Sequence, residues 1–256
     1  MDEGTVRLAV DGEVATLTFD RPEARGAMTF AMYRELAAAC ARIADTPALR
    51  VAVLRGAPGA FVAGTDIGEF AAFATGEDGI AYEERVEAVI AGLEALPVPT
   101  LAVIDGAAVG GGLAIAVACD LRLVTPRARL GVPIARTLGN CLSLRNVARL
   151  ERAFGLGAAR RMLLLSELLD GEAAARAGFA IGCVEPGDLE ARTQGVVDTL
   201  RAAAPLTIEA TRETLRRIGR GESGDADIIA GIYGSGDFRE GVRAFLDKRK
   251  ADWQRR

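Results

Sequence analysis

The chain has 256 residues, half of them hydrophobic and 26% charged, a composition that suits a globular protein with a sizeable core and excludes intrinsic disorder. A net charge of −4 argues against nucleic acid as the main partner, no apolar run is long enough to span a bilayer, and Met1-Asp2-Glu3-Gly4 lacks the basic start and apolar stretch of a leader, so a cytoplasmic location is expected. There is no histidine, which excludes Ser-His-Asp and Cys-His catalysis and any metal site that needs an imidazole.

In chain order, residues 6–10 and 14–19 are β-rich runs around Asp11-Gly12, the signal of an antiparallel hairpin. Residues 20–28 form a turn-rich linker. Thr29 is placed to cap a helix running to about Asp45, with Met32, Leu36, Cys40 and Ile43 as its buried stripe. Residues 51–54 predict a short buried strand and 55–60 a turn. The segment Phe61-Val62-Ala63-Gly64-Thr65-Asp66-Ile67 follows that strand and contains a glycine, which makes it either a ligand contact or a turn capped by Thr65 or Asp66. A polar loop is expected at 75–79, then an amphipathic helix over 82–96 ended by Pro97.

An apolar strand at 100–104 leads into the run from Asp105 to Asp120, where Gly110, Gly111 and Gly112 open an alanine-rich helix. Glycines at such a bend permit unusual φ values and close approach of a ligand, and the N–H groups of the first helical turn attract negative charge. The alternative is that they only let the helix pack tightly on its strand. From 121 to 150 there is no Asp or Glu, whereas Arg122, Arg127, Arg129, Arg136, Arg145 and Arg149 are present, either as a solvated face or to meet an anionic ligand. Helices are expected at 158–168, 171–177 and 188–204, with a short apolar run at 180–184, and then at 208–218, 225–233 and 237–250. The architecture read from this order is α/β followed by a helical appendage. Cys40, Cys119, Cys141 and Cys183 are far apart, with no Cys-x-x-Cys pair, so neither a disulfide framework nor a metal cluster is expected.

Arg21-Pro22, Phe61-Val62-Ala63-Gly64-Thr65-Asp66, Asp105-Gly106 with Gly110-Gly111-Gly112, Ala118-Cys119-Asp120, and the C-terminal Asp237-Phe238-Arg239-Glu240-Gly241-Val242 with Ala244-Phe245-Leu246-Asp247-Lys248-Arg249 together resemble the crotonase (enoyl-CoA hydratase/isomerase) superfamily. The resemblance implies a crotonase-like ββα spiral over residues 1–195. It also implies a helical C-terminal trimerisation part over 196–256 that packs on the core and on a neighbouring subunit, in homotrimers or dimers of trimers. The implied ligand is a coenzyme A thioester, as substrate and with no further cofactor. The backbone N–H groups of Thr65 and Gly111 match the family's oxyanion hole. Ala24 and Arg25, with Ala63, Asp66, Ile67 and Gly110, match segments that lie along the coenzyme A thioester. Phe245 and Lys248 match residues that reach a neighbouring subunit's coenzyme A.

The departures lie at the acid–base positions. Hydratases of this family carry one glutamate just after the glycine bend, where this chain has Ala114, and a second shortly after a proline, where it has Pro133-Ile134-Ala135. Three readings follow. The chain is an acyl-CoA enzyme of the hydratase/isomerase type whose acid or base sits elsewhere, with Asp66, Glu69 and Glu84 as candidates. Or polar groups of 136–141 serve instead, Asn140 or Thr137 orienting water or substrate, with Cys141 as a less favoured nucleophile. Or it is a non-catalytic acyl-CoA-binding or assembly subunit that kept the fold and lost the acids.

Overall fold

A hairpin opens the chain in the computed structural model, which describes residues 3–256; Met1 and Asp2, part of the start read above as lacking a leader's features, lie outside the described residues. Strands β1 (Thr5–Asp11) and β2 (Val14–Asp20) pair antiparallel, with Asp11 opposite Val14. The two-residue turn is therefore Gly12-Glu13 rather than Asp11-Gly12, and Gly12 takes the positive φ of 55° that such a turn requires. Helix α1 (Phe30–Ala44) starts where expected, the Thr29 hydroxyl accepting from the Met32 N–H at 3.2 Å, and buries Met32, Leu36, Cys40 and Ile43. After β3 (Val51–Gly56), helix α2 (Gly76–Glu94) begins six residues earlier than the sequence reading, because Thr75 and Asp78 form a reciprocal capping box; the expected polar loop is that helix's first turn.

The chain continues through β4 (Thr100–Ile104), β5 (Ala107–Val109), α3 (Gly111–Ala118), β6 (Leu121–Val124), β7 (Arg129–Gly131) and α4 (Leu144–Leu164). Next come β8 (Leu168–Asp170), α5 (Gly171–Arg176), α6 (Leu189–Ala202), α7 (Pro205–Gly219), α8 (Ala226–Tyr233) and α9 (Gly236–Leu246). Helix α4 extends well before the expected 158: Ser143 caps it by accepting from the Asn146 N–H, and Gly155, at φ 75°, interrupts it and splits its pattern in two. No helix among the described residues is long and apolar enough to cross a membrane.

The main sheet has the order β1-β2-β3-β4-β6, parallel beyond the opening hairpin, and a smaller sheet has the order β5-β7-β8. Strand alternation divides the core. Ala52 and Leu54 of β3 face a large cluster with Leu36 of α1, Ile90 of α2 and Ile115 of α3, while Val51 and Val53 face the other way and meet Leu189, Val196 and Val197 of α6. The mixed α/β class followed by helices is as the sequence suggested. The expected division between 195 and 196 falls inside α6, whose apolar side is continuous with the sheet.

Two packing features hold the central elements together. Helix α3 approaches the Phe61-Val62 backbone so closely that a Cβ on Gly112 would lie 1.9 Å from the Val62 carbonyl oxygen. Two of the six arginines, Arg122 and Arg149, are not a solvated face. Arg122 donates to the carbonyls of Cys119 and Phe179, and Arg149, only 7% exposed, is clamped between Glu87 and Glu94 of α2. Burial pushes the Glu87 carboxyl up, but the Arg149 hydrogen bonds outweigh it and hold the group below its usual range.

Replacing Gly112 by Ala should therefore cost about 1–3 kcal/mol, seen as a lower urea midpoint with an unchanged slope; a midpoint at the wild-type value would contradict the close approach. Arg149→Met strands two carboxylates and should cost about 3–5 kcal/mol in the same titration, with a wild-type midpoint counting against the clamp.

Candidate active site

Two glycine bends are set side by side by main-chain hydrogen bonds. Met28 N–H donates to Gly64 O at 2.8 Å and Asp66 N–H to Met28 O at 2.9 Å, so Met28 takes up the groups on either side of Thr65. The Thr65 N–H is thereby left on the opposite side of the chain, toward the second bend. On that side Val62 N–H donates to Ala107 O at 2.9 Å, Val109 N–H to Val62 O at 3.1 Å, and Gly110 N–H to Gly131 O at 3.0 Å. Positive φ values make both bends possible, 104° at Gly64 and 54° at Gly110. At Gly64 a Cβ would also stand 3.2 Å from Val109 O, which measures how near the two bends come. Gly111 opens α3, and its N–H has no acceptor within the helix.

Beneath the bends lies a chain of three hydroxyls. Tyr33 OH is 2.9 Å from Thr65 Oγ1, and Thr65 Oγ1 is 2.7 Å from Tyr82 OH. A Cβ on Gly111 would lie 2.4 Å from Tyr33 OH, so this glycine rests on the same cluster. Burial raises both phenols above their ordinary range. Asp66, a candidate base, is engaged structurally: its Oδ2 accepts from Arg21 Nη1 at 2.5 Å and its Oδ1 from Gly68 N–H at 2.8 Å, and these bonds hold its carboxyl below the usual range. Glu69 is engaged too, accepting from Phe30 N–H at 2.8 Å.

A cavity of about 390 Å³ opens over the bends. Ala24, Arg25, Ala63, Thr65, Asp66, Ile67, Gly110, Gly111 and Asn140, all singled out from the sequence, line it, as does Thr137. Asn140 sits on its exposed side, in the loop that follows Ile134. Ala114 and Ile134 line it as well, so the positions where an acid would stand by resemblance carry apolar groups. Phe245 and Lys248 do not reach this cavity: Phe245, on α9, is 84% exposed beside an apolar groove formed by Leu206, Ile232, Val242 and Trp253, and Lys248 follows that helix. Cys141 is exposed next to Asn140 and does not line the cavity.

The cavity also holds groups the sequence reading passed over. Glu83 of α2 lines it, whereas Glu84, the expected candidate, lies on the exposed side of the same helix. Glu83 is half-buried, its Oε2 accepts from Ser143 N–H at 2.9 Å, and burial raises its carboxyl despite that hydrogen bond. The helical phase carried the signal: Glu83 falls on the side of Glu87, Ile90 and Glu94, flanking the buried Tyr82, Val86, Val89 and Leu93. Asn146, 3% exposed, is the other addition. Arg149 Nη1 donates to its Oδ1 at 3.0 Å, which leaves the amide nitrogen as the free donor.

The site so built brings together two glycine bends, a carboxylate and an apolar wall, and known proteins share its fold. A family model described as enoyl-CoA hydratase/isomerase matches residues 10–256. A short-chain-enoyl-CoA hydratase of Clostridium acetobutylicum is 28% identical over 98% of both chains, and an (E)-benzylidenesuccinyl-CoA hydratase of Thauera aromatica is 32% identical over 95% of this chain and 96% of its own. Among solved structures, an enoyl-CoA hydratase/carnithine racemase of Magnetospirillum magneticum superposes with a TM-score of 0.93 at 30% identity, covering 100% of this chain and 97% of the other. The helix, strand and bend order described above is that family's fold, and the chain belongs to the enoyl-CoA hydratase/isomerase family.

Proposed function

We propose that the protein is an acyl-CoA-transforming enzyme of the hydratase/isomerase type that stabilises an enolate-like thioester oxygen between the N–H groups of Thr65 and Gly111. The observation that carries this reading is the ladder through Met28, Gly64, Val109 and Gly131, which turns both bends toward one cavity. Preorganised donors of this kind act where charge develops, and one of them is worth about 3 kcal/mol of barrier. Placement of Gly111 at the start of α3 adds the positive end of a helix dipole. Ala24, Arg25, Ala63, Asp66, Ile67 and Gly110 are assigned to the coenzyme A portion and the start of the acyl chain. Arg25 is the exposed cation among them and suits a phosphate. The alternative of a non-catalytic binding subunit has less support, because a carboxylate faces the cavity. The relatives' names, enoyl-CoA hydratases for the most part, agree with a thioester substrate.

The C-terminal helices are assigned to assembly as a homotrimer or dimer of trimers. Leu215 and Ile218 of α7, Tyr233 of α8 and Phe245 and Leu246 of α9 are exposed apolar side chains, more than a monomer's surface needs. In such an assembly Phe245 and Lys248 reach the coenzyme A of a neighbour.

Butyryl-CoA labelled at the carbonyl should bind and show a thioester C=O stretch moved to lower frequency by isotope-edited infrared spectroscopy; binding with an unmoved stretch would contradict the two-amide reading. Light scattering on a sizing column should give three or six chains per particle. Phe245→Asp should shift the population toward monomer, and a variant of unchanged mass would contradict the assignment of α9 to the interface.

A further inference from the structure

We propose that Glu83 is the acid–base residue of this site and works alone, carrying a proton between the α and γ carbons of a β,γ-unsaturated acyl thioester. The inference rests on the reading of Thr65 and Gly111 as donors to the thioester oxygen. Glu83 lines the cavity from α2, on the helix turn that also holds Tyr82 against Thr65, so its carboxylate and the two amides open on the same space. Its carboxylate is held by Ser143 alone, whose N–H donates to Oε2 at 2.9 Å and whose side chain also bonds it, and no ion pair takes it up among the described residues. The other acids near it are committed: Asp66 to Arg21, Glu69 to Phe30 N–H, Glu87 to Arg145 and Arg149.

The surroundings suit a group that gains and loses a proton. Facing Glu83 are Tyr33 of α1, Tyr82 and Glu87 of α2, and Arg145 and Arg149 of α4, whose guanidinium groups go to Glu87; Asp66 and Arg25 line the same cavity. No cation among the described residues pairs with Glu83 itself, and burial, reinforced by the charge of Glu87, raises its carboxyl above the ordinary range while Ser143 lowers it less. The ionised form is the working base, and its protonated form becomes the acid after the first transfer.

The chemistry balances with this one residue. Glu83 takes the α proton; the electrons of that C–H bond form the new Cα=C(O) double bond, and the carbonyl π pair moves to the oxygen between the two amides. As the oxygen's pair falls back to restore the carbonyl, the Cα=C(O) pair moves to form Cα=Cβ, and the Cβ=Cγ π bond breaks to bond the γ carbon to the same proton, returned by Glu83, leaving an α,β-unsaturated thioester. No water or other reactant enters. Adding water needs a second group to hold it while the first delivers a proton, and the two positions for a partner acid are Ala114 and Ile134, on a wall continued by Val86 and Leu142.

The test uses trans-3-hexenoyl-CoA and the full-length protein. Wild type should convert it to the 2-enoyl thioester, with kcat/KM falling as pH is lowered through the raised pKa of Glu83, since the base must be ionised. E83Q should lose about 10²–10⁴-fold in kcat while binding butyryl-CoA as wild type does, and the exposed helix variant Glu77→Gln should keep full activity. E83Q turning over at the wild-type rate, or a wild-type protein that polarises the bound carbonyl and leaves the double bond in place, would overturn the assignment. A bound carbonyl that is not polarised would instead remove the reading on which it rests.

Discussion

The structure depends on a short main-chain ladder in which Met28, Gly64, Val109 and Gly131 hold four remote segments edge to edge. Nothing about these bonds is unusual in strength. Their importance is directional: each backbone group they consume determines which neighbouring N–H is left without a main-chain acceptor in the ladder. Met28 takes Gly64 O and Asp66 N–H, and the group left over is Thr65 N–H. Gly131 takes Gly110 N–H, and the next one along is Gly111. A side chain cannot substitute at the bends, since Gly64 and Gly110 need positive φ and Gly112 sits against the Val62 carbonyl.

Around that ladder the polar groups divide into those that build and those that remain available. Asp66 looks from its position beside Thr65 like a natural base, yet its two oxygens are occupied by Arg21 and Gly68 N–H, tying the 21–28 turn to the first bend. Arg149 occupies Glu87 and Glu94, ties α4 to α2, and fixes the amide of Asn146. Tyr33, Thr65 and Tyr82 share one hydroxyl chain under the bends. These networks support the site from behind, and lining the cavity with them are Thr65 and Gly111 of the two bends, proposed above as donors, and Glu83. Apolar groups at Ala114 and Ile134, with Asp66 tied to Arg21 and Glu83 the remaining carboxylate in the lining, are the basis for proposing proton movement rather than addition of water.

Much of this was legible in the sequence. The hairpin, the Thr29-capped helix and the strand, bend and helix from Thr100 to Ala118 follow from local rules that the tertiary structure does not override. The resemblance in the two glycine segments located residues that line one cavity although they are far apart in the chain. Other features were hidden for identifiable reasons. The capping box of Thr75 and Asp78 resembles a polar loop when its reciprocal bonds are not seen, and Gly155 masks the continuity of α4. Arg122 and Arg149 resemble surface residues until the carbonyls and carboxylates that meet them are brought in from other segments. Glu83 and Glu84 differ by one step of 100° around α2, and choosing between them needs the side of the helix that carries Glu87, Ile90 and Glu94.

The most direct measurement of the central claim is a crystal structure of the protein with an acyl-CoA bound. The account places the thioester oxygen about 2.7–3.1 Å from both the Thr65 and Gly111 nitrogens, with the acyl chain running past Glu83. A thioester oxygen that meets neither amide, or an acyl chain that leaves the cavity on the side away from Glu83, would contradict it.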